Sequence, residues 1–462
     1  MAGGQRRASL FSLREILAIG WVTTATVVFF NVFLKYVNGQ LLGNARGVPE
    51  FWPISIFAFR IGGLRPGWAI PTLIAAVVVF ALAVVYLHRG GTSIVPIVVA
   101  GLVLVVLTNL LHGINHGFVA PLATREGYYQ LAPQIADPLA FVGSYEANQL
   151  SYVVHAKTHP PGAVLTFTFL ARLFGSRAAV AVVIALVSVP ISAYLFYRLV
   201  GTYYRRSVAQ YTTLLFVLLP AIQIYYLASL DALITTLVLA TIYLFTRESR
   251  WMTLCAFVPL LVVSFQLFLF VFVLPVLAGI AFFRREKIAP LAGIVLGIGG
   301  FYLLVDATLG YNYVESFLIA SNQQNPGGFM LLAEPARYVF TRFEDVAELA
   351  LFLTPFLCLL AVRGLGALWR DVGGRRLASN TREREPFVMA TVALVGFVAL
   401  LAAGVYHTGE TARGAMFMYP FLLLPIAAAI DRIDATWRAK GLLAAAVFGQ
   451  SLVMQLIGNY LW

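Results

Sequence analysis

Three polar segments of this 462-residue chain carry residues that could accept a proton or bind an anion. The first holds Glu126 shortly before Tyr128. The second is the turn Lys157-Thr158-His159-Pro160-Pro161-Gly162, whose prolines stop a helix and hold a basic pair in place. The third contains Asp231. Because carboxylates can act as general bases and cations can bind phosphate, this order predicts a polar site built from separate segments.

Asp231 admits two interpretations. It opens an apolar run, where a carboxylate costs free energy unless it is paired or hydrated, so acids at such positions are functional candidates. The same position suits a helix N-terminus, with Ser229 or Asp231 stabilising the first turn. The two interpretations are compatible.

The histidines are unevenly distributed along the chain, at His88, His112, His116, His155, His159 and His407. All but His88 fall at one end of the apolar runs or in the loops on that side. Five histidines on one face predict a polar reaction chamber there. His112 and His116 are four residues apart and could share a helix face, so a divalent metal is possible, although a compact ligand set is not evident.

The composition identifies the scaffold that must position these residues. Hydrophobic residues make up 60% of the chain, charged residues only 11%, and the mean hydropathy is +0.86. Soluble domains carry about 25% charged residues, so soluble, disordered and disulfide-stapled classes are excluded. The apolar runs are continuous over about twenty residues, which excludes an outer-membrane barrel and predicts a polytopic all-α membrane protein.

About thirteen apolar runs have the length and flanking charges expected of transmembrane helices. They are residues 15–37, 68–87, 95–115, 178–199, 208–226, 231–247, 252–266, 267–283, 288–305, 344–364, 387–405, 416–431 and 440–460.

The charged residues predict how these runs are oriented. If the N-terminus is cytoplasmic, short cytoplasmic segments hold 21 of the 32 lysines and arginines. Basic residues gather in such segments, so the net charge of +12 indicates topology rather than nucleic-acid binding. We therefore expect a multi-pass protein of the plasma (inner) membrane in contact with membrane lipids, with its polar site on the extracytoplasmic side.

We expect the chain to have three parts. Residues 1–92 form an N-terminal transmembrane hairpin, 93–343 a central core, and 344–462 a set of C-terminal transmembrane helices. The core contains two long outside loops, 116–177 and 306–343, in which amphipathic stretches predict short interfacial helices.

The ordered motifs resemble the GT-C superfamily of polyprenyl-phosphate-sugar-dependent glycosyltransferases, such as protein O-mannosyltransferases and the bacterial transferases that add aminoarabinose to lipid A. The resemblance rests on the outside acid near a tyrosine, on His159-Pro160-Pro161, and on Arg172-Leu173-Phe174-Gly175. Asp231 matches the acid that opens a later span, and Arg413 loosely matches a C-terminal arginine before a proline-containing span. The resemblance to the family covers roughly residues 110–430.

The chain departs from the family pattern in three places. The loop acid is Glu126 followed by glycine, where the family has Asp often followed by Glu, so Asp137 or Glu146 could be the base instead. The loop follows the third apolar run rather than the first. Gly162 follows the two prolines, where the family often has leucine.

The resemblance implies transfer of a sugar, with inversion, from a polyprenyl-phosphate donor to a lipid, glycan or protein acceptor outside the cytoplasm. It implies Glu126 as the base, with Asp137 as the alternative, and Asp231 as the residue that orients a loop or a cation. Lys157, His159 and Arg413 are expected to bind the donor phosphate. Further residues are expected to contact substrate: Tyr128, Tyr129, His116, Tyr225, Tyr226, His407 and Glu410. The sequence assigns no cofactor, and a divalent metal is possible.

Two alternatives come from other classes. A transporter or lipid-linked-sugar flippase would suit about thirteen spans, but transporters place polar residues at the bilayer midplane, whereas here they gather at one face. A lipid-using enzyme of the O-antigen ligase type would lack the ordered acid, Pro-Pro turn and second acid.

Overall fold

The structure is a computed structural model and describes residues 11–29, 57–59, 66–373, 381–406, 409–433 and 435–460. Their regular secondary structure is helical apart from one antiparallel pair of three-residue strands, β1 (Phe57–Phe59) and β2 (Gly458–Tyr460). The predicted all-α class is therefore confirmed.

Three long helices precede a run of short elements. The long helices are α1 (Leu13–Phe29), α2 (Pro66–His88) and α3 (Val95–Leu110). The short elements are the π-helix Asn115–Val119, the 3-10 helices Ala120–Leu122, Ala132–Gln134 and Gln149–Ser151, and α4 (Tyr128–Leu131), α5 (Pro138–Gly143), α6 (Tyr145–Asn148) and α7 (Val154–Lys157).

The middle of the chain consists mainly of longer apolar helices. They are α8 (Pro161–Phe174), α9 (Arg177–Tyr203), α10 (Arg206–Leu218), α11 (Pro220–Tyr225), α12 (Leu230–Phe245), α13 (Arg250–Cys255), α14 (Phe257–Ser264), α15 (Val273–Phe283) and α16 (Ile288–Leu309), with 3-10 helices at Phe268–Phe272 and Arg285–Lys287.

The C-terminal part completes the helical body. Its helices are α17 (Tyr313–Gln324), α18 (Met330–Ala333), α19 (Pro335–Leu353), α20 (Pro355–Gly373), α21 (Thr381–Ala402), α22 (Thr411–Gly414), α23 (Tyr419–Arg432) and α24 (Trp437–Ile457), with a 3-10 helix at Met416–Met418.

Five described helices are long and apolar enough to cross a membrane. They start at residues 67, 177, 285, 384 and 437, and two sharply bent helix pairs raise the number to seven if each pair is one span. One bend, of 96°, lies at Thr354 between α19 and α20, where the backbone adopts a positive φ of 76°. The prediction of about thirteen spans is not confirmed, because several of the apolar helices are too short or broken.

Helices α10 and α23 form the centre of the core. Every residue of α10 from Val208 onwards is buried, and so is every residue of α23 from Tyr419 to Ile430. A helix that is apolar on all sides is stable only when other helices surround it. Helices α9, α20, α21 and α24 provide that cover.

Ionic contacts mark one end of the helical body. Arg205 pairs with Asp431 at 2.8 Å, and Arg284 pairs with the buried Glu385. Lys287 donates to the Thr253 hydroxyl nearby. Helices α12, α15 and α21 run from this basic end to the opposite end, where the short elements 115–157 lie.

Candidate active site

A cavity of about 710 Å³ lies at the end of the helices away from the basic end, within the size range of small-molecule sites. Separate parts of the chain form its walls, with lining residues at 121, 122, 124, 127–129, 154, 155, 157–159, 167, 228–231, 267–269, 317, 320, 321, 323–325, 403, 405, 406, 410, 413 and 414. The polar segments singled out from the sequence therefore meet at one place.

The cavity contains a guanidinium shared by two carboxylates. Arg413 Nε lies 3.6 Å from Asp231 Oδ2, and Arg413 Nη2 lies 3.2 Å from Glu410 Oε2. The side chains of Arg413 and Asp231 are only 12% and 21% exposed. Burial lowers the pKa of Arg413, but the charges of Glu410 and Asp231 outweigh it, so the guanidinium pKa is raised and the side chain stays cationic.

Asp231 is oriented by the start of α12. Ser229 is the N-cap residue, and its hydroxyl accepts from the Asp231 backbone N–H and donates to Asp231 Oδ2, both at 2.9 Å. A carboxylate in the first turn is further stabilised by the helix dipole. The helix-start interpretation made from the sequence is therefore confirmed, and Asp231 also lines the cavity, so it stays a functional candidate.

The Pro-Pro turn is fixed by its neighbours. Pro160 is the extended residue before α8, and the Tyr145 hydroxyl donates to the carbonyls of Ala156 and His159. The structure gives a physical reason for glycine at position 162, because a Cβ there would lie 2.1 Å from the Phe265 carbonyl oxygen. Close packing against this backbone allows only glycine.

Two histidines line the cavity beside Tyr128, whose ring lies 5.7 Å from that of His155 and 5.3 Å from that of His159. His159 Nδ1 is 3.0 Å from the His155 carbonyl, which can only accept, so Nδ1 carries the proton and Nε2 is left as an acceptor. Burial, then the charges of His155 and Arg413, lower the pKa of His159 to about 3. Burial, then Arg413, lower the pKa of His155 to about 4.

These pKa shifts bear on the predicted phosphate-binding role of His159. At neutral pH the ring carries no charge, so His159 contributes a hydrogen-bonding atom rather than a counter-charge. Lys157 lines the same cavity, and no ion pair to its ammonium group is found within the described parts of the chain. Lys157 is therefore the cation best placed to meet an incoming anion.

The two acids favoured as the base lie away from the cavity wall. Glu126 is exposed at the rim, where its Oε2 accepts from the Val154 N–H at 3.2 Å. Asp137 caps α5, and its Oδ1 accepts from the backbone N–H groups of Leu139 and Ala140. Neither position favours proton abstraction within the cavity.

The predicted substrate contacts are divided between the cavity and its surroundings. Tyr128, Tyr129 and Glu410 line the cavity. The buried Tyr225 stacks on Phe352 outside the cavity lining. His116 also lies outside the lining.

The remaining predicted contacts lie elsewhere. Tyr226 is buried in the core against Phe216, and His116 packs on His112, whose Nε2 contacts the Gln455 carbonyl at 2.6 Å. His407 lies outside the described residues. Within the described parts of the chain, no group of three or more histidine, cysteine or acidic side chains could hold a metal ion.

His155 and Tyr406 line the cavity, but the sequence assigned no specific role to either. His155 was noted only as one of five histidines on one face, and its spacing of two from Lys157 was the available signal. Tyr406 is buried and lines the cavity beside Gly414, but a tyrosine at the end of an apolar run gives no sign of this. Comparison with known protein families and with curated proteins finds no match for this chain.

Proposed function

We propose that this protein is an integral-membrane glycosyltransferase that moves a sugar from a polyprenyl-phosphate donor to an acceptor hydroxyl on the extracytoplasmic side. The observation that carries the proposal is the cavity, which joins an oriented carboxylate, two cations and an apolar wall. The reaction needs these groups: a proton acceptor, counter-charges for the leaving phosphate and a surface for the lipid.

We assign Asp231 as the general base. It lines the cavity and is held by Ser229, whereas Glu126 is exposed at the rim and Asp137 caps a helix. A base must lie within hydrogen-bond reach of the proton that it removes, so position decides between these acids. This gives Asp231 a more direct role than the family resemblance implies.

The chemical step is a single displacement. The acceptor hydroxyl oxygen bonds to the anomeric carbon while Asp231 takes the hydroxyl proton. The bond between the anomeric carbon and the phosphate oxygen breaks, and its electron pair leaves with the lipid phosphate. One displacement inverts the anomeric configuration.

Cations stabilise the negative charge that develops on the released phosphate. Lys157 supplies a point charge from α7, and Arg413 supplies a guanidinium held in place by Asp231 and Glu410. His159 Nε2 is available to accept a hydrogen bond from a sugar hydroxyl, because its Nδ1 proton is used on the His155 carbonyl.

The apolar wall suits a polyprenyl chain. Leu267, Phe268 and Leu269 line one side of the cavity, and Phe317 of α17 faces them. Phe317 is 41% exposed, and its α17 neighbour Leu318 is 54% exposed, so apolar surface continues away from the polar groups. Covering such surface with a flexible hydrocarbon chain removes it from water, which lowers the free energy of the bound state.

The fold that we propose is GT-C-like, with about thirteen passes, the N-terminus in the cytoplasm and the basic end of the helices facing it. Shorter apolar helices such as α12 and α15 run between the same two ends as the longer ones, which supports counting them as passes. The acidic, histidine-rich cavity would then open on the extracytoplasmic side.

Activity of the purified protein in lipid nanodiscs tests the proposal. A panel of decaprenyl-phosphate hexoses and pentoses is offered with alkyl glycoside acceptors and no ion gradient, and products are identified by mass spectrometry. We expect one donor to yield an elongated glycoside with the inverted anomeric configuration. Asp231→Asn should abolish the product, while Glu385→Gln, at the basic end, should retain it. A folded wild-type protein that consumes none of the donors would overturn the proposal.

A further inference from the structure

Helix α19 presents one polar face to the segment that carries Glu410 and Arg413. The residues of this face are Tyr338, Arg342, Asp345 and Glu348, spaced four, three and three apart. Residues at this spacing share one side of a helix. Asp345 and Glu348 are completely buried, and neither lines the cavity.

Glu348 uses both of its carboxylate oxygens on backbone donors of this segment. Its Oε2 accepts from the Gly409 N–H at 3.2 Å, and its Oε1 accepts from the Ala412 N–H at 3.0 Å. Gly409 has a φ of 100°, a conformation that glycine adopts readily. The carboxylate therefore fixes the backbone on both sides of Glu410.

Further contacts from the same face of α19 hold the segment that carries Glu410 and Arg413. The Thr411 hydroxyl donates to Asp345 Oδ1 at 2.6 Å, and Asp345 Oδ2 pairs with Arg342 at 3.1 Å. Arg342 in turn donates to the carbonyls of Leu401 and Tyr406, at 2.9 and 3.0 Å. The contacts of α19 thus reach both ends of the loop between α21 and α22.

Buried carboxylates are costly unless their charge is matched by hydrogen bonds or an ion pair. If α19 only had to cover the segment 409–413, apolar side chains could do so without the free-energy cost of burying carboxylates. The two acids instead contact Gly409, Thr411 and Ala412, which flank Glu410 and precede Arg413.

We propose that Glu348 is a positioning residue, which holds the backbone of residues 409–412 so that Arg413 is placed against Asp231 and toward the donor phosphate. The identity of this ligand as the donor phosphate rests on the proposed function. Asp345 supports the same segment through Thr411. The strength of donor binding is therefore set by α19, from outside the cavity.

A double-mutant cycle tests this proposal, with decaprenyl phosphate as the probe and the full-length protein in nanodiscs. Glu348→Gln keeps the shape but places an amide N–H₂ against one of the two backbone N–H groups. We expect its Kd to rise about five- to twentyfold, in the range of a lost charge-assisted contact. Because Glu348 acts through Arg413, the double variant with Arg413→Ala should bind no more weakly than Arg413→Ala alone.

The matched control is Glu385→Gln, another buried carboxylate, which lies near the opposite end of α21 and forms an ion pair with Arg284. It should lower the melting temperature but leave the Kd within about twofold. If Glu348→Gln adds its full effect in the Arg413→Ala background, Glu348 does not act through Arg413 and the proposal fails.

Thr411→Val replaces Glu348→Gln if that variant does not fold. It removes the hydrogen bond from the Thr411 hydroxyl to Asp345 and should raise the Kd about two- to fivefold, with no effect once Arg413 is alanine. If the wild-type protein does not bind decaprenyl phosphate, the proposed function fails instead. Amide hydrogen exchange at residues 409–412 then tests whether Glu348 holds this backbone. Faster exchange in Glu348→Gln supports that role, and unchanged exchange overturns it.

Discussion

A guanidinium shared between two carboxylates is the central electrostatic feature of the cavity. Arg413 is nearly buried, so its attraction to Asp231 and Glu410 is screened less than that of a surface pair. With both acids ionised, the three groups carry one net negative charge, and Lys157 supplies a positive charge elsewhere in the lining of the same cavity. A phosphate entering this site would compete with Glu410, the most exposed member, for Arg413.

Replacing each candidate base separates their roles. Asp231→Asn keeps the side-chain size but cannot take a proton, so turnover should fall at least about a hundredfold. Glu126→Gln changes an exposed side chain at the rim and should stay within about threefold of the wild-type rate. Single-turnover rates in nanodiscs measure both. An inactive Glu126→Gln beside an active Asp231→Asn would reverse the assignment.

The cavity histidines predict how stability depends on pH. The pKa values of His159 and His155 in the folded protein are about 3 and about 4, below the usual 6.5. Between these values and 6.5 the unfolded chain binds more protons, so stability is full above about pH 6.5 and is lost as the pH falls toward 4. Each histidine adds at most about 1.4 kcal/mol per pH unit to the slope of the free energy of unfolding against pH.

Melting temperatures from pH 7 to pH 4.5 measure this slope. His159→Gln removes one titrating group and should flatten the curve. His88→Gln, at an exposed position near the basic end, should leave it as in the wild type. Identical curves for wild type and His159→Gln would show that His159 does not titrate as the buried position requires.

At the scale of elements, the turn before α8 is the part of the site that the sequence predicts best. Two adjacent prolines restrict the backbone locally, and the part of the 116–177 loop that follows them is indeed helical, as α8 (Pro161–Phe174). The choice among the acids is less predictable, because Asp231 meets Arg413 only once α12 packs against the 3-10 helix Met416–Met418, which follows α22. Contacts between segments more than a hundred residues apart leave no local pattern.

Gly162 provides a test of this turn. A Cβ in Gly162→Ala would meet the Phe265 carbonyl at 2.1 Å, so the turn must move, and we expect a lower melting temperature and weaker donor binding. Gly299→Ala is the matched control, since nothing lies within 4 Å of its added Cβ in α16. Alanine favours the helix by up to about 1 kcal/mol, so this control should be neutral or stabilising. Equal effects of the two variants would show that the close approach at Gly162 has no consequence.

At the scale of the whole molecule, composition predicts the helical membrane class, whereas the predicted number of about thirteen spans is not confirmed. Apolar length alone cannot show that α13 and α14 are separate short helices or that the chain bends sharply at Thr354. The distribution of charge is a better guide. The ionic contacts of Arg205 and Arg284 lie at one end of the helices and the cavity at the other.

This polarity predicts which end faces the cytoplasm. Basic residues are retained there, so Arg205 should be inside, and Asn148 and Gln324 near the cavity should be outside. Arg375, expected inside, lies outside the described residues. Single cysteines at positions 148 and 205 test the arrangement after Cys255 and Cys358, the two native cysteines, are replaced by serine.

Positions 148 and 205 are both exposed, so burial does not limit labelling. The surface ion pair with Asp431 that Arg205→Cys removes contributes little to stability. An impermeant maleimide should label Asn148→Cys in intact cells and Arg205→Cys only after permeabilisation. Labelling of Arg205→Cys alone in intact cells would place the cavity in the cytoplasm. A donor presented outside could then not reach Lys157 and Arg413, so this result would reject the extracytoplasmic reaction together with the topology.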